Sequence, residues 1–134
     1  MKVERKFAEE QIEKWIDFKR VKKSIRKRNE EQEKILIEAI EYGDLNVEDD
    51  MSLTYTLLEP VKTKDGEIML DKLVFMPRIR KEQLNRKYSG IKTTDADGRL
   101  LATIAALTEK NTGLIGKLYT EDISVCESIA VYFL

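Results

Sequence analysis

Chemistry in this chain would have to come from carboxylates, lysines and one thiol, because the 134 residues contain no histidine and a single cysteine, Cys126. Without imidazole, Ser-His-Asp and Cys-His nucleophile systems and His-assisted zinc sites are excluded, and one Cys cannot close a structural zinc site or an internal disulfide. Carboxylate chemistry then depends on spacing within the acidic stretches. Asp44-Leu45-Asn46-Val47-Glu48 starts like a calcium loop, but Asp49 stands where the sharp turn needs glycine and Tyr55 where the bidentate glutamate belongs. Asp95-Ala96-Asp97-Gly98 is followed by Arg99 and Leu100 in place of ligands, and helix capping accounts for both aspartates. Glu121 and Asp122 are adjacent, so on a helix they diverge by about 100° and cannot work as a glycosidase pair. Gly113-Leu114-Ile115-Gly116-Lys117 lacks the spacing of a phosphate loop. Cys126 falls on an apolar helix face and reads as core. No catalytic, metal or cofactor site emerges, and the chain is expected to act by binding another protein.

Charge is the sharpest local feature. Residues 1–28 carry 11 Lys/Arg against 5 Asp/Glu, residues 29–50 carry 1 against 9, and residues 51–134 carry 12 against 11, inside a net charge of -1. The basic stripe comprises Lys19, Arg20, Lys22, Lys23, Arg26, Lys27 and Arg28. Such a stripe can neutralise phosphates, which makes a small nucleic-acid-associated regulator the alternative function. The preferred reading is a solvated face paired with the acidic residues that follow, or a protein contact. Trp15, Ile16 and Phe18 lie together beside the stripe; the preferred reading is that they dock this segment on the rest of the chain, and the alternative that they anchor a partner. Met51, Met69 and Met76 are further partner-contact candidates, since flexible thioethers adapt to variable surfaces, although core filling explains them equally well.

The elements that must carry these residues follow from pattern. No Gly precedes Gly43 and no Pro precedes Pro60, while Glu, Lys, Arg, Gln and Ile dominate. This predicts a helical arm from about Lys2 to Tyr42, ~60 Å long if continuous, or two helices broken near Ser24–Asn29, with Gly43 as the stop. Asp44–Asp50 reads as an acidic connector, so residues 1–50 form an arm and linker and residues 51–134 a module. In the module, Leu53–Leu58 closed by Pro60, a Lys64-Asp65-Gly66 turn and Glu67–Met76 predict a β-hairpin. Helices follow at Lys81–Tyr88, with Ile79, Leu84 and Tyr88 as inward anchors, and from a Thr94 cap to about Leu107. A short turn at Leu114–Tyr119 precedes a last helix capped by Thr120, with Ile123, Cys126, Ile129, Ala130 and Phe133 along one face. The fold class is α+β: a charged N-terminal helical arm, then a β-hairpin packed on a small helical bundle. No stretch of roughly 18 apolar residues spans a membrane, no secretory signal is apparent, and a lone cysteine fits the cytoplasm.

From about Leu53 to Leu134 the chain resembles the tail assembly chaperones of tailed bacteriophages, in particular the short type of contractile-tailed phages. The match is one of order. A strand ends in Leu57-Leu58-Glu59-Pro60, a turn carries Asp65-Gly66, and a second strand leads through Leu73-Val74-Phe75-Met76-Pro77-Arg78. A short helix contains Leu84, an apolar helix runs Leu100-Leu101-Ala102-Thr103-Ile104-Ala105-Ala106-Leu107-Thr108, and Ile115 to Asp122 precedes a helix ending Phe133-Leu134. The resemblance implies a protein that holds the tape-measure protein during tail assembly in the host cytoplasm and helps recruit tail-tube subunits, without cofactor or catalytic residues. About 50 charged residues precede the first strand, where family members of this type usually begin. That extension fits a homo-oligomerisation device, a second chaperone contact or a different tail-associated role.

Overall fold

The computed structural model describes residues 2–134. Its architecture is α+β, as the pattern predicts, with a three-stranded antiparallel sheet covered by helices. The N-terminal third is where it departs from the expected arm. Three helices form there, α1 (Arg5–Lys19), α2 (Lys23–Arg28) and α3 (Glu30–Glu41). The chain folds back between α1 and α3: the Val3 amide donates to the Glu41 carbonyl (2.9 Å) and Arg5 pairs with Glu41 (3.0 Å), so the start of α1 lies beside the end of α3. The reason is an apolar ridge that charge conceals. Ala8, Ile12, Trp15 and Ile16 recur at helical spacing on α1, and all four are buried with Leu36, Ile37, Ala39 and Ile40 of α3 in the core that also holds the sheet. The two breaks fall at Arg20, left-handed at φ 54°, and at Asn29. The boundary expected at residue 50 is therefore crossed by one continuous core.

The expected connector is itself structured. Gly43, at φ 83°, ends α3 as anticipated, and Leu45–Val47 forms β1, whose Leu45 is fully buried opposite Tyr55. Asp50 Oδ1 accepts from the Ser52 amide (2.9 Å) and hydroxyl (2.6 Å), which fixes the turn into β2 (Leu53–Lys62) with Met51 at φ 69°. β2 pairs with β3 (Ile68–Phe75) to form the predicted hairpin, but Pro60 does not end the strand. Instead the register shifts between Thr56 and Val61, a bulge that accommodates a residue with no amide proton.

The rest is helical: α4 (Lys81–Tyr88), α5 (Ala96–Thr108), α6 (Thr112–Ile115), α7 (Thr120–Ala130) and a closing 3₁₀ turn, Val131–Phe133. Asp95, not Thr94, caps α5, its Oδ1 accepting from the Gly98 amide (2.9 Å); a Cβ at Gly98 would lie 2.4 Å from the Asp95 carboxylate, so a larger residue there displaces the capping side chain. Tyr119, not Thr120, occupies the cap position of α7. Residues 102–108 of α5 are buried throughout, whereas Leu100 and Leu101 are half-buried. Cys126, Ile129 and Ala130 are core, as their spacing predicts.

Candidate partner-binding site

The stripe residues separate once folded. Lys19 lies 3.4 Å from the Phe133 ring centroid and 5.6 Å from that of Trp15, and burial together with neighbouring Arg78 lowers its ammonium pKa to about 8. Arg26 bonds to both Glu13 and Glu33, the latter at 2.6 Å, which raises its own pKa and lowers that of Glu13. Arg20, Lys22, Lys23, Lys27 and Arg28 stay exposed. Of the seven cations Arg26 is thus ion-paired within the fold and Lys19 is packed over aromatic rings, and the stripe is broken where α1 gives way to α2.

The candidate partner anchors are mostly interior, so Trp15 and Ile16 take the docking role and Met51 the core-filling one. Trp15 is 1% exposed, Ile16 is 3% and Met51 is 8%, so none of these offers a contact surface. Trp15 meets Tyr132 edge-on (centroids 5.4 Å) and Phe133 (6.2 Å), docking the N-terminal helices on the far end of the chain. Phe18 is half-buried, its ring under the Arg78 guanidinium (4.4 Å) and its carbonyl accepting from Arg78 Nη2 (3.2 Å). Met76 is half-buried and its amide donates to the Leu107 carbonyl (3.0 Å). Only Met69, near the hairpin tip, is open to solvent.

Asp122 is a fully buried carboxylate that the sequence places merely in a first helical turn. Its Oδ1 accepts from the Tyr55 hydroxyl (2.7 Å) and the Leu58 amide (2.9 Å), and its Oδ2 from the Glu59 amide (3.4 Å). Those amides belong to the β2 bulge, so the carboxylate replaces ladder partners that the bulge removes. Burial, then the hydrogen bond to Asp122, raise the Tyr55 phenol, and burial followed by the charge of Asp122 raises the Cys126 thiol, keeping it a poor nucleophile. The arrangement ties α7 to β2. Tyr55 and Cys126 are buried beside the carboxylate.

Open concavity lies elsewhere. A groove of about 580 Å³ runs between α4 and the start of α5, lined by Ile79, Leu84, Tyr88, Leu100 and Phe133, with Lys81 and Arg99 among its charged residues. α4 has no fully buried residue, so Leu84 and Tyr88, expected as inward anchors, are only half-covered. Tyr88 is held by its hydroxyl against Thr103 Oγ1 (2.7 Å) and by the Arg99 guanidinium 4.0 Å from its ring. A second concavity, about 290 Å³, carries the opposite charge: Glu38, Asp44 and Glu121 with Tyr42, Leu58 and Val125. Spacing could have signalled the first groove only through Leu84 and Tyr88 being the sole large apolar residues of a short, charged helix.

Among the described residues no three His, Cys, Asp or Glu side chains are grouped to hold a metal ion, and no helix is long and apolar enough to cross a membrane. Comparison with family models, with curated proteins and with solved structures returned no match.

Proposed function

We propose that this chain is a phage or prophage tail assembly chaperone that binds and solubilises helical segments of a tape-measure protein in the host cytoplasm and helps recruit tail-tube subunits, without catalysis. The observation that carries the proposal is the groove between α4 and α5, an apolar, solvent-open trough between two helices. Troughs of this form accept the apolar face of a third helix. The ordered resemblance over residues 53–134 supplies the client. A tape measure is long, helical and apolar in places, so it aggregates unless its exposed apolar faces are covered. The N-terminal third then acts as an added helical layer on the module rather than a separate reaching arm, because its ridge is spent on the common core.

Co-expression with the tape-measure protein tests the reading. Recovery of a soluble complex is expected, and a client that stays insoluble with no complex recovered sinks it.

A further inference from the structure

The groove has a chemistry that narrows what enters it. Past Phe133 it continues into a shallower depression of about 320 Å³ lined by Lys19, Arg78, Ile79 and Tyr132. Across both, every charged side chain in the lining is a cation: Lys19, Arg78, Lys81 and Arg99. None of the four makes an ion pair among the described residues, where pairing is confined to Arg5, Arg26 and Lys34. The chain as a whole is slightly acidic, at net -1, so this is a local gathering of charge and not a general property of the surface.

From this geometry we infer that the groove takes an amphipathic helix whose apolar face is flanked by Asp and Glu. The inference rests on the reading that the chain binds a helical client, and adds which client segments it selects. Leu84, Leu100 and Phe133 supply the apolar contact, and Lys81 and Arg99 meet the flanking carboxylates. The depressed ammonium of Lys19, crowded by Arg78, is a further position at which an incoming carboxylate is favoured. The acidic concavity of a second copy, around Glu38, Asp44 and Glu121, is itself a hollow and cannot fill a trough.

The test uses the full chain and two synthetic helices of about 16 residues, ~24 Å long, with the same leucines at helical spacing and either Glu or Lys at the flanking positions. Binding is read by fluorescence anisotropy. The Glu helix is expected to bind about tenfold tighter than the Lys helix, a preference that shrinks as salt is raised. The K81E/R99E protein, checked for native circular dichroism, is expected to reverse the order, and Leu84→Ser to weaken both helices. Equal affinity for the two helices, or no binding of either, overturns the inference. So does concentration-dependent self-association in sedimentation that K81E/R99E abolishes, because the occupant is then a second copy. Co-expression separates the two levels: K81E/R99E solubilising the tape measure as well as wild type overturns the groove assignment and leaves the chaperone reading standing. Wild type failing to solubilise it overturns the chaperone reading, and the peptide preference then judges the groove by itself.

Discussion

Helices α1 and α4 are both dense with charge, yet one is core and the other is nearly bare. α1 carries Glu9, Glu10, Glu13, Lys14 and Asp17 and still buries Ala8, Ile12, Trp15 and Ile16. α4 carries Lys81, Glu82, Arg86 and Lys87 and buries nothing completely. Charge content therefore does not decide a helix's fate. Four apolar residues on one ridge supply enough contact to hold α1 against α3 and the closing turn, whereas Leu84 and Tyr88 alone leave α4 leaning on α5 with a trough beside it.

The contrast predicts a wide gap in mutational cost. Trp15→Ala removes a ring that is 1% exposed and packed edge-on against Tyr132 and tilted against Phe133, and should cost about 3–5 kcal/mol in urea unfolding. Leu84→Ser on α4 should stay within about 1 kcal/mol. Similar losses for both would erase the distinction between the two helices. Next in size is Asp122→Ala, expected to lose about 3 kcal/mol because the Tyr55 hydroxyl and two bulge amides are left buried and unpaired. Tyr55→Phe should lose less, since the carboxylate keeps both amides. A smaller effect concerns Lys19, at the end of α1. Its folded pKa of about 8 lies below its ordinary 10.5, so the unfolded chain binds more protons between these values. The lysine's unfavourable contribution is full below pH 8 and fades as pH rises toward 10.5. Measured against Lys19→Met, the wild-type protein should gain stability across that window; a difference independent of pH would show that the ammonium is hydrated as on any surface helix.

Sequence pattern anticipated the α+β class, the hairpin, α4, α5 and the core face of α7, because each has a period or a turn residue of its own. It misplaced the N-terminal third because the absence of Gly and Pro and the dense charge predict an arm, while the ridge at 8, 12, 15 and 16 has little to mark it. That ridge resembles isolated apolar residues on a solvated helix until a partner face exists for it. β1 was missed because three residues between Asp44 and Glu48 are too short to show alternation. Asp122 falls in the first turn of α7, where acidic residues are ordinary; its larger role depends on a bulge 64 residues away in the chain, and no local pattern encodes that. The groove was out of reach for the same reason. Its two walls and Phe133 are brought together only by packing.

The meeting of Trp15 with Tyr132 also sets an order of events during synthesis. The α1 ridge is synthesised long before the aromatic pair that closes over it. At ordinary elongation rates of about 5–20 residues per second, that interval is roughly 6–25 s. Through most of it the ridge has α3 to pack against but not the two rings that close over Trp15, and the dense charge around it is of the kind that keeps exposed apolar surface from associating.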